Sequence, residues 1–184
     1  MPYLKNYARA ADSRCSAGAS SDTSNTTNSM KQNKILALDL ATQTGWASSW
    51  TNGKGTIFSG TVGFQVKKFD GAGMRYLKFE NWLRNMIALG EPDVVYFEGV
   101  RRHMGVDAAH VYGGMLATMQ KVLEELKVPY CALSVQQIKK FATGKGSAKK
   151  DAMLEAAKNK WPDRTFADDN EVDALWILET ARSL

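Results

Sequence analysis

A chain of 184 residues that is 44% hydrophobic and 23% charged is long enough for one domain with a buried core. It has no apolar run approaching the roughly 18 residues of a membrane span, and its N-terminus lacks the apolar segment of a secretory signal. The net charge of +5 sits in one window: residues 134–164 hold eight Lys or Arg against three acids, and the rest of the chain is balanced at sixteen against sixteen. A local excess of this kind is either a polyanion-binding face or a solvated helix surface.

In chain order, residues 12–29 (DSRCSAGASSDTSNTTNS) contain eleven Ser, Thr or Asn and no large apolar side chain. Such a stretch cannot bury enough surface to offset its ordering entropy, so residues 1–29 read as a disordered tail and 30–184 as the folded domain. Asp12 and Asp22 count against a mitochondrial leader, despite Lys5, Arg9 and Arg14. With only two cysteines, Cys15 in the tail and Cys131 in an apolar run, the expected setting is reducing and cytoplasmic, with Cys131 a small core residue.

From Lys34 the hydrophobic pattern predicts a buried strand over 34–41 and two more over 45–50 and 55–64. The last two are joined through Thr51-Asn52-Gly53-Lys54, where Asn-Gly is a hairpin signal. Met74, Leu77, Trp82, Met86 and Leu89 recur at helical spacing over 72–89, and Gly90 ends the run. DVVYFE (93–98) is another buried strand, followed by a helix over about 107–126 and a strand over 128–133. Helices are expected over 135–142, 147–160 and 170–182. This order predicts an α/β fold with a mixed five-stranded sheet, an antiparallel hairpin beside parallel strands, flanked by helices.

Two of the buried strands end in acids: ILAL runs into Asp39, and VVYF runs into Glu98. A third acidic group opens the last helix in FADDNEVDALWIL, where Asp169 and Asp173, four apart, share a helical face, as do Asn170 and Asp173. Each acid alone has an ordinary reading: Asp168 or Asp169 as a helix N-cap, Glu98 as a strand-end charge, Asp39 as a group bonded to a loop. Three separate segments each bringing a carboxylate to an apolar element suggest a cluster, and clustered carboxylates repel unless a cation lies among them. Oxygen ligands suit Mg²⁺ or Mn²⁺, and with only His103 and His110 no Cys/His spacing suits zinc.

The sequence resembles the RuvC family of Holliday junction resolvases within the RNase H-like nucleases, particularly forms found in phages and prophages. Four pieces carry the likeness in order over residues 34–182: ALDLATQTGWA, VVYFEGV, QQIKKFATGKGSAKKDAM and NEVDALWI. The resemblance implies an RNase H-like sheet and a homodimer that cuts a four-way junction twice. It implies a site binding two Mg²⁺ (or Mn²⁺) ions, with Asp39, Glu98 and Asp173 as catalytic, metal-binding carboxylates. The family places its other acid, or a histidine, three residues before the last aspartate; here that position is Asn170, with Asp169 one residue earlier, and Asp169 is the favoured fourth ligand. Lys139 and Lys150 match lysines that approach the DNA backbone and the scissile phosphate, and Lys145 and Lys149 extend that basic stretch. Gly144-Lys145-Gly146 is either a phosphate-binding turn or a connector between helices. The segment after Glu98, with Arg101, Arg102 and His103, is expected either to touch DNA near the crossover or to be a flexible solvent loop. The first strand also resembles the phosphate loop of actin-like sugar kinases, but those need a second domain and lack the terminal Asp-Ala helix, so no nucleotide cofactor is expected. A related nuclease for other branched or repair DNA, or a catalytically weakened branched-DNA binder, are the alternatives.

Overall fold

The apolar runs become five strands: β1 (Ile35–Asp39), β2 (Gln43–Ser48), β3 (Phe58–Gly63), β4 (Val94–Gly99) and β5 (Tyr130–Ser134). The structure, a computed structural model, describes residues 34–49, 56–100 and 105–184. The Thr51–Lys54 turn and the 1–29 tail expected from the sequence lie outside the described residues. The strands form one sheet in the order β3-β2-β1-β4-β5. β1 pairs antiparallel with β2 and β2 with β3, whereas β4 runs parallel to both β1 and β5. This is the expected mixed sheet, with the hairpin on one side and the crossover strands on the other.

Five helices complete the described residues: α1 (Met74–Gly90), α2 (Val106–Leu126), α3 (Val135–Thr143), α4 (Lys150–Lys160) and α5 (Asp169–Arg182). None among the described residues is long and apolar enough to cross a membrane. α1 and α2 cover one face of the sheet, where Leu36, Leu38, Leu40, Val95 and Phe97 meet Phe79, Leu83, Met115, Met119 and Leu123. α5, backed by α3 and α4, covers the other, where Ile35, Ala37 and Ala47 meet Val172, Leu175 and Trp176. Sandwiched between the sheet and two helices, α5 is buried over most of its circumference, with Val172, Ala174–Leu178 and Ala181 all inside. Trp176 ties the layers together, its indole N–H donating to the Met153 carbonyl at 3.2 Å.

Element boundaries move where side chains compete for the backbone. β1 stops at Asp39 because Leu40–Thr42 turn the chain, with the Thr44 hydroxyl donating to the Ala41 carbonyl at 2.6 Å. β2 begins earlier than expected, since Gln43 and Thr44 already pair with Gly63 and Val62. β5 begins later because the Val128 N–H caps α2, bonding the Leu123 carbonyl at 2.9 Å. A capping box opens α3, in which Ser134 accepts from the Gln137 N–H and the Gln137 side chain accepts from the Ser134 N–H.

Candidate active site

The alternation of side chains along a strand decides where the acids point. Ile35 and Ala37 face α5, so Asp39, in step with them, emerges on that face at the end of β1. Val94 and Tyr96 pack against the same core, which puts Glu98 there as well. Because β1 and β4 run parallel with Leu38 opposite Phe97, the two acids leave neighbouring strands at the next rung.

The third acid reaches them because α5 lies unusually close to β2. Gly45, paired with Asp39 across the hairpin, has no side chain to hold the helix off; a Cβ there would lie 1.9 Å from the Asn170 carbonyl oxygen. The glycine is therefore demanded by contact, inside β2. A set of long-range bonds fixes the helix start. Asp168 is the N-cap, accepting from the Glu171 N–H at 3.0 Å and from the Thr61 hydroxyl of β3 at 2.6 Å. The buried Glu171 carboxylate accepts from Ser59 and from the Ala167 N–H, with Arg164 donating to Ser59 at 2.6 Å behind it. One turn into this anchored helix stands Asp173.

A cleft of about 270 Å³ opens beside the carboxylates, lined by Glu98, Asp173, Lys139 and Lys150 with Val135, Ile138, Met153 and Ile177 forming its apolar wall. Burial pushes the Asp39 carboxyl up to about 8, aided by the charges of Asp173, Glu98 and Asp168 and opposed by Lys150. Burial likewise pushes Asp173 up to about 6, with Lys150 and Lys139 opposing and Asp169 adding to the rise. Glu98 is raised by burial and by Asp173, against Lys139. Asp168 goes the other way: burial would raise it, but hydrogen bonds from Thr61, the Glu171 N–H, Asn170 and Gln43 prevail and lower it.

Of the remaining candidates, Asp169 is ion-paired with the Lys150 ammonium, and that bond is the largest cause of the raised Lys150 pKa. Asn170 turns its side chain to Asp168. Lys139 lies on α3 beside the cleft, and Lys145 and Lys149 are exposed on the connector to α4. Gly144, at φ 77, is the left-handed cap of α3, and its N–H bonds the Lys140 carbonyl at 2.8 Å. Arg101, Arg102 and His103 lie outside the described residues, and His110 is exposed on α2. Sequence reading missed the Ser59, Thr61, Arg164 and Glu171 bonds. Its one available signal was the pair of hydroxyls two apart on β3, which share a face.

Among the described residues, no three His, Cys, Asp or Glu side chains stand close enough to cage an ion as they are. The donor chemistry nonetheless fits a hard divalent cation. The converging groups are all oxygen donors, and Asp39, Glu98 and Asp173 are raised first by burial and then by neighbouring carboxylates, a repulsion that a cation among them would relieve.

No family model matches this sequence, and no curated protein matches it. Solved structures do. The fold resembles Thermus thermophilus RuvC in complex with a Holliday junction substrate, with a TM-score of 0.69 and 18% identity over 82% of this chain and 96% of that one. It also resembles the yeast mitochondrial Holliday junction resolvase Ydc2, at a TM-score of 0.55 and 14% identity over 82% and 78% of the two chains. A fowlpox virus resolvase solved with substrate Holliday junction DNA follows, at 0.52 and 11% over 82% and 97%. The chain thus has the RNase H-like fold in its RuvC form.

Proposed function

We propose that this chain is a metal-dependent, structure-selective DNA endonuclease that resolves Holliday junctions by paired, symmetric phosphodiester hydrolysis, two copies acting on one junction. What supports the reading is the convergence of Asp39, Glu98 and Asp173 from β1, β4 and α5 beside a cleft walled by two lysines. The fold on which they converge is that of RuvC bound to a Holliday junction substrate.

In this reading Asp39, Glu98 and Asp173 hold Mg²⁺ or Mn²⁺, two ions per site, with Asp169 or Asn170 as the fourth ligand. The ions, when bound, supply an activated water and charge stabilisation for the leaving oxygen. Lys139 and Lys150 hold the phosphate and offset charge that develops on it. Lys150 exchanges its Asp169 partner for that phosphate, one charge-assisted bond for another. Val135, Ile138, Met153 and Ile177 keep water from the inner wall of the cleft. Lys145 and Lys149, on the exposed connector, hold the flanking backbone, and Arg101 and Arg102 after Glu98 touch the DNA near the crossover. A four-way junction has two-fold symmetry, so paired cuts call for a homodimer.

The test is cleavage of a synthetic four-way junction in Mg²⁺ by the wild type, Asp39→Asn and Glu98→Gln. The reading expects paired symmetric nicks that vanish in both variants while junction binding persists. Equal cutting of linear duplex, or full activity in either variant, would overturn it. Comparing Asp169→Asn with Asn170→Ala assigns the fourth ligand.

A further inference from the structure

α2 presents to the Glu98 strand a side chain that neither the motif nor the cleft includes. Tyr112 is 9% exposed and packs in the core on the α1/α2 side. Its hydroxyl donates to the Glu98 main-chain carbonyl at 2.9 Å and accepts from the Val100 N–H at 3.2 Å. One hydroxyl thus spans the two backbone groups on either side of Gly99, where β4 ends. The location matters because register pairs between β1 and β4 stop at Leu38–Phe97, one residue short of Glu98. The strand end that carries the carboxylate has lost its β1 partner, and Tyr112 supplies ties from the opposite side of the sheet.

We propose that Tyr112 is a positioning residue: by fixing the Glu98–Val100 backbone it sets the direction in which Glu98 offers its carboxylate, and so the metal affinity of the site. This rests on the reading of Glu98 as a metal ligand. Tyr112 touches neither metal nor substrate, and its effect passes through the main chain of Glu98. Groups that orient a ligand from behind typically govern affinity or activity about 10- to 100-fold.

The experiment compares full-length wild type, Tyr112→Phe, Glu98→Gln and, as a control, Tyr130→Phe. The control removes a tyrosine hydroxyl bonded to Glu124 at 2.9 Å, remote from the acids. Mn²⁺ binding without DNA is followed by electron paramagnetic resonance, junction affinity in Ca²⁺, kcat in Mg²⁺, and melting temperature in EDTA. Tyr112→Phe keeps the ring and so the packing. It is expected to bind Mn²⁺ about tenfold more weakly and to lose kcat by about that factor or more, with junction affinity unchanged and kcat recovering at high Mg²⁺. Tyr130→Phe is expected to match the wild type in each. Wild-type Mn²⁺ affinity and kcat in Tyr112→Phe, beside a defective Glu98→Gln, would overturn the inference while leaving the proposed function standing. A melting temperature lowered by more than about 10 °C with junction binding lost would make the hydroxyl a structural staple and overturn it too. If Glu98→Gln binds Mn²⁺ as the wild type does, the reading of Glu98 fails and this inference with it.

Discussion

On the α1/α2 side the pleat delivers Leu36, Leu38, Leu40, Val95 and Phe97 into a layer of large side chains, with Phe64 and Phe79 edge to face at 5.4 Å. On the α5 side the same strands deliver Ile35, Ala37, Val94 and Tyr96, and then Asp39 and Glu98 at the final rung. Small residues on that side (Ala37, Ala47, Ala174 and the bare Gly45) let the helix approach until a backbone carbonyl nearly touches the strand. One face is filled for stability. The other is thinned so that a helix brings a carboxylate close enough to two others for their charges to interact. A strand with one side locked in a well-packed core is a rigid mount for a charge on its other side.

In the filled face, a change at Phe79, on α1 rather than on the helix that carries Tyr112, has the largest expected effect on stability and none on chemistry. Phe79→Ala removes a fully buried ring and is expected to cost about 3–5 kcal/mol in urea unfolding. Cleavage per folded molecule should remain at the wild-type level. The thinned face responds differently. Gly45→Ala must displace Asn170, at a cost of about 1–3 kcal/mol, and it moves the helix that carries Asp173. Its cleavage per folded molecule is expected to fall about 100-fold, which an assay normalised to folded protein would detect.

A third experiment titrates the thinned face. Unfolded, Asp39 and Asp173 both ionise near 3.8; folded and metal-free, they keep their protons to about 8 and about 6. Between those limits the folded chain binds more protons than the unfolded one. The stability associated with these groups is therefore fully present below pH 4 and is lost as the pH rises towards 8. The loss is read as a falling melting temperature in EDTA. Asp39→Asn should flatten the slope and Mg²⁺ should reverse it. The smallest effect belongs to Ser48→Ala. Among the described residues, the Ser48 hydroxyl is the one buried side-chain polar atom that lacks a hydrogen-bond partner. Its removal is expected to change stability by less than about 1 kcal/mol, towards greater stability if at all.

The contrast between the faces also explains what could be read in advance. β1, β4 and the helices announced themselves because burial imposes a period, and Asp39 and Glu98 stood out as charges that broke it. Asp173 was visible from its place on an apolar helix. What stayed hidden depends on residues far apart in sequence, which leave no period. Thr61 with Asp168, and Ser59 with Glu171, join positions more than a hundred apart. Gly45 opened a predicted strand, but nothing in ATQTGWA reveals that Asn170 will rest on it. Asp169 looked like a ligand by spacing, and only the packing of α4 beside α5 shows Lys150 within reach of it. Tyr112 carried no signal of its own, since its hydroxyl partners lie on a strand that no helical pattern could place.

The alternation that aims Asp39 at α5 makes β1 intolerant of a change in length. Deleting any one residue between Ile35 and Leu38 would preserve the hydrophobic character of the strand while inverting its parity. The carboxylate would then face Phe79 and Met115, and a leucine would face α5. Substitutions that keep volume are tolerable anywhere in ILAL, but an insertion or deletion of one is not. Residues 35–39 work as a counting device, in which the number of residues before the acid matters as much as which residues they are.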